Sequence, residues 1–159
     1  MLTDSHTHLN VEAFQDDQEE VIQRALEQGV TRMVNVGFNR ETIPSSIELA
    51  EMYDFIYSTV GWHPVDAIDM KDGDLEWIEQ LCKHEKVVAI GEIGLDYHWD
   101  TSPKEVQKRI FRDQIRLARK LQMPILHIPQ LVAMALGVSK DALRLQTHIV
   151  RPTGMLASC

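Results

Sequence analysis

Apolar strands that close on glycine alternate with amphipathic helices along this chain, and that alternation limits its fold more than any other feature. Arg32–Gly37, Phe55–Gly61 and Lys86–Gly91 are short apolar runs, each ending in glycine. The periodicity predicts helices over Glu19–Gln28, Thr42–Met52 and Asp72–His84, and a longer one from Ser102 to about Gln122. Gly29 stands where a helix C-terminal cap belongs. Ser102-Pro103-Lys104-Glu105 reads as a capping box with proline at the first helical position. An opening strand precedes the first helix, and Pro124–His127 begins a fifth. Continuously apolar strands spaced by roughly thirty residues, with a helix in each interval, make a parallel sheet covered by helices. The fold class is α/β.

Composition narrows the setting. The 159 residues are 44% hydrophobic and 25% charged, the balance of one soluble globular domain with a proper core. A net charge of -8 argues against nonspecific clinging to nucleic acid. A local basic patch or a bound cation could still handle phosphate. Two cysteines, Cys82 and Cys159, offer neither a zinc knuckle nor a disulfide framework. No basic stretch followed by an apolar one opens the chain, and the apolar run Leu131–Val138 is too short to cross a bilayer. The expected location is cytoplasmic, with no membrane partner. Lys104, Lys108, Arg112, Arg116 and Lys120 recur every four residues and read as the solvated outer face of a helix.

In parallel α/β folds the chemistry collects beyond the carboxyl ends of the strands. In Asp4-Ser5-His6-Thr7-His8 the two histidines project from the same side of an extended strand and can reach one ion together. His63 follows the third strand, Glu92 the fourth, and His127 lies in the fifth. Imidazole with carboxylate suits zinc, manganese or a similar divalent ion, and a carboxylate can bridge two. His63 before Pro64 also has an ordinary reading, as a hydrogen-bonded turn residue. Tyr97 and Trp99 either stack on an unpaired base or pack over the strand ends.

Asp-Ser-His-Thr-His-Leu, Val-Gly-Trp-His-Pro and Ile-Gly-Glu-Ile-Gly-Leu-Asp-Tyr together resemble the TatD family of metal-dependent hydrolases. That family falls within the amidohydrolase group of TIM barrels, and the likeness covers roughly Met1 to Leu126. The resemblance implies a (β/α) TIM-barrel fold of which this chain holds about the first half, five parallel strands. It implies a metal-dependent deoxyribonuclease, with DNA as substrate and Mg2+, Mn2+ or Zn2+ as cofactor, up to two ions in the full-length family. By the same pattern His6 and His8 bind one metal, Glu92 is shared between two, and His63 lies near the substrate phosphate. No residue is assigned as the catalytic acid or base.

The likeness breaks after Pro124-Ile125-Leu126-His127. Ile128-Pro129-Gln130 follow where the family continues to His-Asn-Arg, so no ligand role passes to His127. His148 has no matching surroundings either. Residues 1–128 read as the N-terminal half of the barrel and 129–159 as an atypical tail. That tail carries one acid, Asp141, against Lys140, Arg144 and Arg151, in a chain whose net charge is -8. A frameshift or premature stop would explain it. Half a barrel should expose a strand edge and self-associate. Two rival functions stand beside the nuclease. One is an inactive truncated fragment retaining partial metal binding. The other is an amidohydrolase acting on C–N bonds, against which the Gly-Glu-Ile-Gly-Leu-Asp-Tyr motif argues.

Overall fold

Four strands run parallel in the order β1-β2-β3-β4, so each neighbour in sequence is also the neighbour in the sheet. The computed structural model describes residues 2–123. The strands are β1 (Leu2–Thr7), β2 (Val30–Val36), β3 (Ile56–Val60) and β4 (Val87–Ile90). The helices are α1 (Gln18–Glu27), α2 (Thr42–Met52), α3 (Asp74–Leu81) and α4 (Lys104–Lys120). Short 3₁₀ turns occupy Glu12–Phe14 and Pro64–Asp69. By its contacts the chain divides into two units, Met1–Gln114 and Ile115–Cys159. The expected fifth strand at Pro124–His127 and the 129–159 tail lie outside the described residues.

Strict alternation with parallel pairing confirms the α/β reading. The helix that ends at Glu27 stops as its sequence requires. Gly29 adopts φ +85°, a conformation that side chains with a Cβ resist, and its N–H donates to Leu26 O at 2.9 Å. Leu9, Ile22, Met33, Leu49, Ala50 and Ile56 form one buried cluster, bringing α1 and α2 onto β2 and β3. Full burial of each larger aliphatic among them contributes about 1.5–3 kcal/mol.

A buried polar chain sits beside that cluster. Asn35, the last but one residue of β2, is fully buried. It donates to Asn10 Oδ1 at 2.8 Å and Ser46 Oγ at 2.9 Å, and accepts from the Leu9 N–H at 2.7 Å. Ser46 of α2 in turn meets Ser58 of β3 at 2.8 Å. Because every member is satisfied, the network ties the segment after β1 to β2 without an orphaned group.

Two expectations for α4 change. The Ser102 hydroxyl accepts from the Ile68 N–H at 2.9 Å and donates to Val65 O at 2.7 Å. Glu105 pairs outward with Lys108 at 2.7 Å. The sequence-level capping box is therefore replaced by a contact from Ser102 to the 3₁₀ turn, because a tertiary carbonyl and amide lie within reach of its hydroxyl. The helix also buries Gln107 and Gln114, each 1% exposed, where a purely apolar stripe was expected. The basic stripe is mostly exposed, as read: only Lys108 is half-buried.

Candidate metal centre

The carboxyl ends of the strands carry His6, His8, His63 and Glu92, and the fold brings all four together. His6 is the last but one residue of β1, and His8 lies just beyond the strand. Their Nε2 atoms are 3.1 Å apart. Glu92 follows β4, after a cis Gly91–Glu92 peptide, and places Oε2 3.3 Å from His6 Nε2 and 4.0 Å from His8 Nε2. His63 Nε2 is 3.9 Å from the other carboxylate oxygen, Oε1. Glu92 thus offers one oxygen to the histidine pair and one to His63.

Hydrogen bonds settle what two of the imidazoles present. His8 Nδ1 lies 3.0 Å from Val36 O. A carbonyl only accepts, so Nδ1 carries the proton and the Nε2 lone pair faces His6 and Glu92. A backbone acceptor behind a ligating histidine is the usual way of fixing its tautomer. His63 is the reverse. The Val65 N–H donates to His63 Nδ1 at 3.2 Å, so in the neutral ring the proton sits on Nε2. His8 shows the site a lone pair, and His63 shows it an N–H. One ring nitrogen of His63 therefore caps the turn, as its ordinary reading expects, and the other faces Glu92.

The donor set fits a divalent ion. His6, His8 and Glu92 each offer one ligand atom, all within 4.8 Å of one another. Two imidazole nitrogens 3.1 Å apart need a proton or a cation between them. Nitrogens sharing one ion at ~2.1 Å would lie about 3.0–3.4 Å apart. Asp4, on the strand with the histidines, accepts the His6 backbone N–H at 3.1 Å and so braces the strand end.

The elements that hold these residues are as telling as the residues. A Cβ on Gly61 would lie 2.7 Å from the Gly91 carbonyl carbon, so glycine there lets the segments bearing His63 and Glu92 close up. Gln114 of α4 accepts from the Trp62 N–H at 2.7 Å and donates to Trp62 O at 3.1 Å, just before His63. Gln107, two turns earlier, accepts from the Asp96 N–H at 2.9 Å and donates to Asp96 O at 2.8 Å, in the segment after Glu92. One helix therefore clasps the loop bearing His63 and the loop bearing Glu92. Sequence periodicity missed these glutamines because polar residues are assigned to the outer face.

Phe38 was missed too, although the strand-end rule that flagged His63 and Glu92 applies equally to the end of β2. Its ring meets His8 edge-on at 5.2 Å and His63 at 6.5 Å. A cavity of about 580 Å³ opens here, lined by His8, His63, Glu92, Phe38 and Trp99 with Val11, Val65, Asp66 and Thr101. Tyr97 takes another course, packing under Lys104 with Nζ 5.0 Å from the ring centre. His127 lies outside the described residues.

Known proteins resemble this chain along most of its length. A family model described as TatD related DNase matches residues 3–151. The uncharacterized metal-dependent hydrolase YabD of Bacillus subtilis is 60% identical over 126 residues, 79% of this chain and 49% of that protein. The 3'-5' ssDNA/RNA exonuclease TatD of Citrobacter koseri is 36% identical over 122 residues, 77% of this chain and 47% of its own. The crystal structure of the TatD homologue YjjV from Escherichia coli superposes with a TM-score of 0.72 at 31% identity, covering 86% of this chain and 55% of that one. By sequence YjjV aligns over 156 residues at 32% identity. The chain spans about half the length of the curated relatives it matches. With the family model extending over nearly the whole sequence, the chain belongs to the TatD-related DNase family.

Proposed function

We propose that this chain carries the first half of a nuclease centre, which binds divalent metal through His6, His8 and Glu92 and hydrolyses nucleic-acid phosphodiesters. The convergence of two imidazole nitrogens with one carboxylate carries the reading. The relatives named metal-dependent hydrolase and ssDNA/RNA exonuclease support it. A divalent ion held there supplies Lewis acidity, lowering the pKa of a water and offsetting charge on phosphate oxygens.

The chain's own groups do the rest. His8 is fixed in its ligating tautomer by Val36 O. His63 Nε2–H donates to a phosphate oxygen, where extra negative charge develops during attack. Glu92 Oε1, on the His63 side, is available for a second ion shared with Oε2. Mg2+, Mn2+ and Zn2+ all remain in the reading, with DNA as the principal substrate and the TIM barrel as the complete architecture. The cytoplasm remains the proposed location, on the sparse cysteines. Among the described residues no helix is long and apolar enough to cross a membrane.

Cleavage of single-stranded DNA by the purified chain with each metal tests this, beside a His6→Ala, His8→Ala control. Cleavage lost in the control supports the enzyme. Metal binding without cleavage supports the inactive fragment instead. Hydrolysis of amide or ring C–N substrates at a higher rate than DNA would move the chain to the amidohydrolase reading. Residues 129–159 are read as an atypical tail; restoration of His-Asn-Arg in another reading frame past codon 126 is the check on its origin.

A further inference from the structure

The geometry points to a base-binding pocket beside the metal ligands, formed by Phe38 and Trp99, that takes one unpaired nucleobase next to the phosphate being cut. The inference deepens the nuclease reading and rests on it.

Phe38 is a fixed wall. Its N–H donates to Thr42 Oγ1 at 2.9 Å, and its carbonyl accepts from the His63 N–H at 2.8 Å. The first bond ties the end of β2 to the start of α2, and the second ties it to the segment after β3. The ring is half-buried and stands roughly perpendicular to the rings of His8 and His63. Trp99 is 58% exposed and lines the same cavity from the loop after Glu92. An exposed indole and a half-buried phenyl ring lining one cavity with His8, His63 and Glu92 are an unusual lining for a site that has only phosphate to hold.

Charge narrows the occupant. None of the described lining residues is Lys or Arg, whereas Asp66 and Glu92 are both acidic. The cavity therefore has no side-chain track for a polyanionic backbone, and affinity beyond the phosphate at the metal must come from elsewhere. An aromatic face answers a base, and any base has a π-face. The volume of about 580 Å³ is ample for one nucleotide and offers no groove for a duplex. A paired base cannot enter without leaving its stack. The pocket thereby selects single strands and ends by the base, and salt matters little.

Fluorescence anisotropy on the whole chain with Mn2+ tests this. The probes are a labelled single-stranded oligonucleotide with phosphorothioate linkages and copies carrying an abasic site on either side of the terminal linkage. Loss of the base at one of those positions should weaken binding about five- to hundredfold. Trp99→Ala, which touches no ligand, and Phe38→Leu should each weaken the intact probe and leave the abasic one unchanged. Rising salt should shift binding with the shallow slope of one or two phosphates. Equal binding of intact and abasic probes overturns the pocket and leaves the nuclease reading standing. No binding of any probe, with Mn2+ still bound, overturns both.

Discussion

His8 and His63 show how one kind of side chain is given opposite tasks. Val36 O accepts from His8 Nδ1 and turns a lone pair to the site; the Val65 N–H donates to His63 Nδ1 and turns a proton there. A glutamine amide can place an N–H roughly where imidazole Nε2 stands, so His63→Gln should bind oligonucleotide better than His63→Ala. Loss of one hydrogen bond to a charged phosphate predicts weakening by about 10- to 150-fold for alanine. Mn2+ affinity should be unchanged in both, and a parallel fall in metal affinity would make His63 a ligand instead. A different residue gives a pH signature. Burial, and then the charge of Glu79, push the Cys82 thiol from 9.0 up to about 11. A folded pKa above the unfolded one means the native state favours the protonated thiol. That stability is fully present below pH 9 and is lost as pH rises from 9 to 11. Between pH 8 and pH 11 the wild type should therefore lose more unfolding stability than Cys82→Ser, by urea titration. Equal losses would sink the assignment.

At the scale of elements, α4 matters to the site through two glutamines rather than through its charge. Gln107 and Gln114 grip the backbones of Asp96 and Trp62, in the loops that carry Glu92 and His63. Gln114→Leu keeps the volume but leaves a buried N–H and carbonyl without partners. The expected cost is about 2–6 kcal/mol, at 1–3 for each orphaned group, measured by chemical unfolding. Within the folded population Mn2+ should also bind more weakly, because the Trp62–His63 segment loosens beside Glu92. A Gln114→Leu protein as stable as wild type would remove the clasp from the account. The elements themselves were readable: helix bounds agree within a few residues, since period and glycine punctuation are local properties. So were His6, His8, His63 and Glu92, because strand ends can be counted along the sequence. Gln107, Gln114 and Asn35 were not readable, because each is buried for the sake of a backbone group distant in sequence. Asn35 did leave one trace, as a lone amide within the apolar run Met33–Val36.

For the whole molecule, the consequential feature is where the sheet stops. Among the described residues β1 pairs only with β2, and β4 only with β3, so a parallel sheet has two unmatched borders. Five of the six β1 residues are exposed, Leu2 at 58%, although a barrel strand is ordinarily covered on both faces. Unpaired N–H and C=O groups along such a border recruit another strand. We expect this chain, purified alone, to associate in a concentration-dependent way, visible as a rising sedimentation coefficient between low and high micromolar protein. A charge placed on this exposed strand, Thr3→Lys, should oppose edge pairing and lower the association without touching His6 or His8. The metal centre supplies a second handle, since an ion bound by His6, His8 and Glu92 links the β1 and β4 ends of the sheet. Mn2+ should then reduce association and raise the melting temperature together, by linkage. A monodisperse monomer with a sharp, metal-independent melt would show that the borders are covered, and the expectation of association would fall.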